Sequence, residues 1–149
     1  MKFFFDTEFF VREGMPVDIR PISIGMASED GRRFYALYEG ARETASQSEW
    51  LRQNVLPSVE GDELPASVIA EQIRGFVGSE KPEFCAAYGA YDWVVFCQTF
   101  GGLMNLKGWP CFYTEVVPWN LPRVERFGKP HHSGDDAATL LKAYQAAQK

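Results

Sequence analysis

Two acidic residues interrupt an apolar run at the start of the chain. Phe3-Phe4-Phe5 is typical of a buried strand, and Asp6 and Glu8 follow it with one residue between them. Because side chains alternate along a strand, both carboxylates fall on one face. Like charges so close raise a pKa unless a cation separates them, and hard divalent ions take oxygen ligands. The pair is therefore half of a candidate Mg²⁺ or Mn²⁺ site, unless the strand ends at Phe5 and Asp6 begins a turn.

A third acid follows another predicted strand, over residues 84–88. Gly89 turns the chain there, and Tyr91 and Asp92 begin a helix that ends near Gly101-Gly102. This order places Asp92 at the carboxyl edge of the sheet, where the ligands of open α/β sheets gather. The alternative is that Asp92 is only the N-cap of its helix.

The last predicted helix carries two adjacent acids. At about 100° per residue, Leu140 and Ala143 flank Asp136 on the apolar face, so we expect Asp136 to point toward the sheet. Asp135 is rotated away from that face and is expected to point toward water. A local alternative is that Ser133 and Asp136 form a capping pair.

Three further strands are predicted. Residues 19–27 and 33–38 read as strands, and Glu29-Asp30-Gly31 between them is a hairpin signal. The chain thus begins with a three-stranded, largely antiparallel unit that has the acidic strand at one side. Residues 111–117 are expected to form the last strand.

Two helices are predicted between the hairpin and the second acidic motif. Residues 46–49 fit a capping box ahead of the first helix, which Pro57 limits. The second begins at Pro65 and ends at Gly78. Residues 58–64 between them are expected to form an exposed acidic loop with solvated charges.

A Pro-rich segment, residues 118–130, precedes the last helix. It contains Arg123, Arg126 and Lys129, with Glu125 as its only acid. The segment is either a solvated loop or a loop that contacts phosphate.

Composition limits the class of protein. The 149 residues predict one domain, and a net charge of −5 argues against nucleic-acid affinity through bulk charge. Three cysteines without metal-ligand spacing indicate reduced, mostly buried thiols in a cytoplasmic protein. Asp6 and Glu8 cut the opening apolar run short, so neither a signal peptide nor a membrane span is expected.

Taken together, the acids resemble the DEDDh group of 3′-5′ exonucleases. The first motif reads Phe-Asp-Thr-Glu-Phe at residues 5–9, and the second reads Tyr-Gly-Ala-Tyr-Asp at residues 88–92. In the third, His131 precedes Asp136-Ala137 by the family's spacing. The chain looks closest to the compact bacterial and phage 3′-5′ exoribonucleases, although Phe9-Phe10 stands where many relatives have Thr-Gly.

The resemblance implies an α/β, ribonuclease H-like fold. Its mixed central sheet would have about five strands with an antiparallel hairpin, flanked by helices, in a single exonuclease domain over residues 1–149. It also implies that Asp6, Glu8, Asp92 and Asp136 bind two Mg²⁺ or Mn²⁺ ions flanking the scissile phosphate. His131 would be the general base, and His132 is expected to face solvent.

The implied substrate is RNA with a free 3′ end. Thr7 is a candidate contact to the terminal sugar, and Phe9, Phe10 and Tyr91 are candidate contacts to the terminal nucleotide. The alternatives are an exodeoxyribonuclease acting on DNA, a non-catalytic nucleic-acid-binding domain of the same fold, or an unrelated α/β domain whose acids are caps and turns. A homodimer is a family-based expectation.

Overall fold

The computed structural model describes residues 1–149 and contains a six-stranded mixed sheet in the order β4-β3-β2-β1-β5-β6. The strands are β1 Lys2–Arg12, β2 Asp18–Ser28, β3 Arg33–Tyr38, β4 Glu63–Leu64, β5 Glu83–Ala86 and β6 Thr114–Glu115. β1, β2 and β3 are antiparallel neighbours, whereas β1–β5, β5–β6 and β3–β4 are parallel pairs. The predicted α/β class is confirmed, with one strand more than expected.

Five helices flank the sheet. They are α1 Ala41–Ala45, α2 Glu49–Asn54, α3 Ala66–Val77, α4 Ala90–Thr99 and α5 Ser133–Ala147. Short 3-10 turns lie at Leu56–Ser58, Leu103–Leu106 and Pro118–Asn120. None of the helices has the length and apolar character needed to cross a lipid bilayer.

β1 lies inside the sheet and is covered on both faces. Phe3 and Phe5 belong to the main core, beneath α3 and α4, whereas Phe4 packs beneath α5. All three rings are fully buried, and burial of each such side chain stabilises the fold by about 1.5–3 kcal/mol. The strand continues to Arg12, so the alternative of a turn beginning at Asp6 is wrong.

Of the two helices predicted between the hairpin and the second acidic motif, α2 differs from the prediction in its N-cap residue. The N-cap of α2 is Ser48, which accepts from the backbone N–H of Leu51 at 3.1 Å, rather than Ser46. Ser46 instead ends α1, a helix that the sequence did not predict. The bounds expected for α3 hold, because Pro65 precedes its first residue and Gly78 ends it.

Residues 58–64 form only in part the exposed acidic loop that the sequence predicts, because residues 60–62 are exposed but the two ends of the segment are held by the fold. Ser58 is buried, and its hydroxyl donates to the carbonyl oxygen of His131 at 2.5 Å. Glu63 lies in β4 and accepts from the backbone N–H groups of Gly40 and Arg42 at 2.9 and 3.0 Å. The segment therefore joins the sheet edge to the start of α5.

Two smaller expectations are also corrected. The strand predicted over residues 111–117 is reduced to Thr114–Glu115. All three cysteines are free, but only Cys85 is buried, whereas Cys97 is half-buried and Cys111 is exposed.

The start of α5 touches the sheet at two glycines. A Cβ atom on Gly25 in β2 would lie 2.1 Å from the backbone nitrogen of Gly134 in α5. Gly25 is paired with Asp6 of the neighbouring strand β1. The helix can approach the sheet above the acidic strand because neither backbone carries a side chain there.

We expect Gly25→Ala to destabilise the protein by about 2 kcal/mol or more, because the new methyl meets backbone that cannot move without shifting α5. It should also remove any Mn²⁺-dependent rise in Tm, since Asp136 would move away from Asp6. Urea unfolding and thermal scans with and without Mn²⁺ measure both effects.

The matched control is Gly75→Ala in the exposed interior of α3, where an added Cβ meets nothing within 4 Å. It should stabilise the protein by about 0.5–1 kcal/mol. Wild-type stability in Gly25→Ala would show that α5 is not held by this contact.

Candidate active site

Three carboxylates converge between β1 and α5. Asp6 and Glu8 project from the same face of β1, and Asp136 projects toward them from the first turn of α5. One oxygen from each lies within 4.8 Å of the other two. All three residues are half-buried. Carboxylate oxygens at this spacing are the donors that hard divalent cations such as Mg²⁺ and Mn²⁺ take in proteins.

Asp92 lies close enough for its charge to act on Asp6 and Glu8, but it is not one of the three converging carboxylates. One of its oxygens accepts from the backbone N–H of Thr7 at 3.0 Å and also from the Thr7 hydroxyl. Asp92 sits in the first turn of α4, whose N-cap is Gly89, so the N-cap alternative is wrong. The structure therefore groups three of the four predicted ligands. The fourth, Asp92, is bound to Thr7, the residue between Asp6 and Glu8 in β1.

The acids raise one another's pKa values. Burial, followed by the charges of Asp92 and Glu8, raises the pKa of Asp6 well above its usual range. Burial and the charge of Asp92 raise the pKa of Glu8 to about 8. Burial raises the pKa of Asp92 to about 6, although the hydrogen bonds from Thr7 oppose the shift. Burial and mutual repulsion therefore oppose ionisation of these carboxyl groups, and a cation bound between them would favour it.

Arg126 partly neutralises the cluster. Its guanidinium forms an ion pair with Asp136, and its charge lowers the pKa values of Asp6 and Glu8 against the larger effect of burial. Arg126 comes from the basic segment 118–130, for which the sequence left open a solvated or a phosphate-contacting loop. The structure corresponds to neither alternative for this arginine, because its guanidinium pairs with an acid of the site.

His131 lies at the edge of the cluster. Its Nδ1 is 3.7 Å from a carboxylate oxygen of Glu8, and its side chain is 39% exposed. The ring meets Trp50 edge-on, with 5.1 Å between centroids. The backbone of His131 has a φ of 59°, in the left-handed region that few residues other than glycine adopt. The chain thus turns sharply just before α5 and presents this imidazole beside Glu8.

His132 does not face solvent, contrary to the prediction. It is buried and is the N-cap of α5, because its Nδ1 accepts from the backbone N–H of Asp135 at 3.2 Å. Its Nε2 lies 2.9 Å from a carboxylate oxygen of Glu60, and its ring stacks on Tyr35 at 4.2 Å. Since Nδ1 accepts, Nε2 carries the proton and donates it to Glu60. His132 therefore stabilises the start of α5.

The capping pair that the sequence allowed between Ser133 and Asp136 is absent. Ser133 is fully buried, and its hydroxyl lies 3.0 Å from the hydroxyl of Ser23 in β2. His132 takes the capping role instead. Asp136 is thereby left free of the helix backbone and available to the cluster.

Asp135 does not point into water either. It forms an ion pair with Arg33 at 2.5 Å and accepts from the backbone N–H of Lys129 at 3.0 Å. Burial opposes its ionisation, but these hydrogen bonds hold the pKa of Asp135 below its usual range. Helical phase correctly separates Asp135 from Asp136, yet both are half-buried and both are paired with arginine.

The four residues predicted to contact the terminal nucleotide have different environments. Thr7 is buried, and its hydroxyl is engaged with Asp92. Phe9 is half-buried against the main core and lies 5.8 Å from the exposed Tyr91 ring. Phe10 packs instead against a second core cluster. A β-bulge in the β1–β2 pairing separates Glu8 from Phe9. Phe9 and Tyr91 form the accessible aromatic edge.

A cavity of about 420 Å³ opens beside the acids. Asp6, Tyr88, Arg123, Arg126, His131 and Asp136 are among its lining residues. The sequence did not predict that Tyr88 or the two arginines would line the site. The basic composition of residues 118–130 was the signal for the arginines, but composition does not predict where their side chains point.

The chain is similar to two curated proteins. It is 35% identical over 116 residues to 3′-5′ exoribonucleases of Mycobacterium tuberculosis, strains CDC 1551 / Oshkosh and ATCC 25618 / H37Rv. The match covers 71% of this chain, which spans about 65% of the length of each relative. No protein-family model matches the chain.

The raised pKa of Glu8 predicts how stability depends on pH without a cation. Between the usual value of 4.5 and about 8, the folded protein holds a proton on Glu8 that the unfolded chain has lost. The free energy of unfolding in EDTA should therefore fall as pH rises through this interval, by up to about 1.4 kcal/mol per pH unit for this proton.

Glu8→Gln should reduce this slope and should be more stable than wild type at pH 8, because it removes one buried charge. Glu80→Gln, which removes an exposed carboxylate before β5, should retain the wild-type slope. Urea unfolding at half-unit pH intervals measures the slopes. An equal slope in Glu8→Gln and wild type would contradict the assigned pKa of Glu8.

Proposed function

We propose that this chain is a metal-dependent 3′-5′ exoribonuclease of the DEDDh type. It removes nucleoside 5′-monophosphates one at a time from RNA 3′ ends. The observation that carries the proposal is the convergence of Asp6, Glu8 and Asp136, with His131 at their edge. The similarity to proteins named 3′-5′ exoribonuclease supports the same class.

The ribonuclease H-like fold is part of this proposal. β1 lies between antiparallel strands on one side and parallel strands on the other, and helices cover both faces. This mixed sheet is compatible with the fold that the three motifs imply. Asp6 and Glu8 lie on this inner strand, beyond the point where β1 stops pairing with β5.

The residues present fit divalent cations. Asp6, Glu8 and Asp136 would hold Mg²⁺ or Mn²⁺, and Asp92 would complete a two-ion site if its oxygens turned from Thr7. Divalent cations bound there supply Lewis acidity that activates water and neutralises charge on the departing 3′ oxygen. Hydrogen bonds from Thr7 oppose the rise in the pKa of Asp92 and hold one of its oxygens beside β1.

His131 is the general base of the proposal. Its imidazole takes the proton of the attacking water, and its exposed side chain leaves room for that water beside Glu8. The positive φ of His131 and the hydrogen bond from Ser58 to its carbonyl oxygen fix the position of the backbone from which the ring projects. Trp50 limits the swing of the ring on the other side.

Arg126 has two partners in the proposal. It neutralises Asp136 before a cation binds and is free to contact the substrate phosphate afterwards. An arginine suits this exchange because its guanidinium matches carboxylate and phosphate oxygens equally well.

Several finer statements remain predictions. No residue of the site is assigned to the 2′-hydroxyl, so an exodeoxyribonuclease is the alternative activity. A non-catalytic nucleic-acid-binding domain is the second alternative. A homodimer and a cytoplasmic location also remain predictions.

The activity is tested with RNA labelled at its 5′ end, in Mn²⁺, Mg²⁺ or EDTA, with DNA of the same sequence in parallel. We expect a ladder that shortens from the 3′ end and releases monophosphates, no reaction in EDTA, and protection by a blocked 3′ hydroxyl. Asp136→Asn should abolish the reaction because it removes one ligand charge.

Asp62→Asn is the matched control, since this exposed acid makes no hydrogen bond or ion pair in the structure. It should retain wild-type activity. Internal cleavage, or a ladder that persists in EDTA, would overturn the proposal. A ladder from DNA alone would favour the exodeoxyribonuclease alternative, and binding without hydrolysis would favour the non-catalytic one.

The two histidines should separate catalysis from stability. His131→Ala should lower kcat by about 10²–10⁴-fold, the usual contribution of a positioned general base, with little change in Tm. His132→Ala should instead cost about 1–2 kcal/mol of stability, because α5 loses its cap. Turnover measured per folded molecule should stay near wild type for His132→Ala, and the opposite pattern would reverse the assignment.

A further inference from the structure

Two large aromatic side chains stand exposed beside the cavity of the candidate site. Tyr88 is 66% exposed and Trp119 is 71% exposed. Their ring centroids are 5.7 Å apart, at an interplanar angle of 41°. Tyr88 follows β5 with a φ of 52°, and Trp119 lies in the Pro118–Asn120 turn. Each ring keeps most of its surface in water.

An unpaired positive charge lies on the same side of the molecule. Arg123 is exposed, and the structure gives its guanidinium no ion pair and no hydrogen bond. Arg123 and Tyr88 both line the cavity that contains Asp6 and Asp136. We refer to Tyr88, Trp119 and Arg123 together as the Tyr88–Trp119 surface.

We propose that the Tyr88–Trp119 surface binds the single-stranded RNA that precedes the scissile phosphate, with one base stacked on Trp119 and a phosphate on Arg123. The proposal rests on the proposed function, because it extends the path of the strand out of that site. Trp119 and Arg123 lie outside the three motifs, and none of the three residues is among the predicted contacts Thr7, Phe9, Phe10 and Tyr91.

The chemistry of the surface favours a nucleic-acid strand as its occupant. Aromatic rings bind bases of any sequence through their faces, and arginine binds the phosphates between them. The net charge of −5 repels a polyanion elsewhere on the molecule. Residues 118–130 carry three basic residues against one acid, so attraction is local to this segment and to the cavity.

The direct test measures binding of a fluorescein-labelled eight-nucleotide RNA by anisotropy. All proteins carry Glu8→Gln, so that the RNA is not consumed. Trp119→Ala should weaken binding by about 5- to 150-fold, the range expected for the loss of one stacked base. Trp119→Phe should restore most of the affinity, because it returns an aromatic face.

The matched control is Phe112→Ala. Phe112 is 68% exposed but lines a separate cavity with Pro82 and Glu83, at the amino end of β5. Its loss should leave RNA affinity unchanged. An equal loss in Phe112→Ala and Trp119→Ala would mean that exposed aromatics bind RNA without a defined track, and the proposal would be wrong.

The salt dependence separates the two kinds of contact. Arg123→Ala should make the slope of log K against log salt concentration shallower by about 0.7, the value for one phosphate contact on a single strand. Trp119→Ala should lower affinity at every salt concentration without changing the slope. An unchanged slope for Arg123→Ala would remove the phosphate contact from the proposal.

Hydrolysis by proteins with the native Glu8 distinguishes this surface from the reaction site. Trp119→Ala should lower kcat/KM on the eight-nucleotide RNA by the same factor as binding. It should not change kcat/KM on the p-nitrophenyl ester of uridine 5′-monophosphate, which carries a p-nitrophenyl group in place of the RNA that precedes the scissile phosphate. Equal losses on both substrates would place Trp119 in the reaction site and overturn the proposal.

The remaining outcomes are also decisive. A wild-type protein that hydrolyses neither substrate would defeat the proposed function, while the binding measurements would still decide the fate of this surface. Sedimentation tests the other occupant, a second copy of the chain. A Trp119→Ala protein that changes from dimer to monomer while its RNA affinity is unchanged would make this surface a contact between copies.

Discussion

The close contact between Gly25 and Gly134 is the constraint on which the site depends. It lets the backbone of α5 reach the sheet above the strand that carries Asp6, at a distance that a single methyl group would prevent. The carboxylates of one strand and one helix can then meet within 4.8 Å. The cap of α5, the turn at His131 and the buried Ser133 all lie within a few residues of this contact. Their positions follow from it, because a helix displaced outward would lose each of their partners on the sheet.

Bringing these acids together opposes folding, and neighbouring groups limit the penalty. Thr7 donates two hydrogen bonds to Asp92, and Arg126 forms an ion pair with Asp136. The large apolar cores beneath β1, which bury Phe3, Phe4 and Phe5, supply the stability that the acidic cluster consumes. Local conflict of this kind, inside a sequence that is otherwise consistent with its fold, is typical of functional sites.

The sequence predicts those parts of the structure that depend on periodicity. Alternation along β1 correctly puts Asp6 and Glu8 on one face, and helical phase correctly turns Asp136 toward them. Prediction from the sequence fails where the partner of a side chain comes from a distant part of the chain. Asp135 was expected in water because its phase is right for water, yet Arg33 lies 102 positions away in sequence and pairs with it. His132 was misplaced for the same reason, since Glu60 and Tyr35 hold it. Periodicity gives the direction of a side chain, whereas its partner depends on how the elements pack.

The segment between α2 and α3 has a consequence for how this chain can change in evolution. Surface connections usually accept insertions and deletions freely, and residues 58–64 look like such a connection. Here Ser58 holds the carbonyl oxygen of His131, and Glu60 holds the ring of His132, two residues further along the segment. The two residues that make these contacts are two positions apart, and the histidines that they hold are adjacent. One added residue would detach one histidine or the other, so this segment should keep its length in homologues even where its sequence varies.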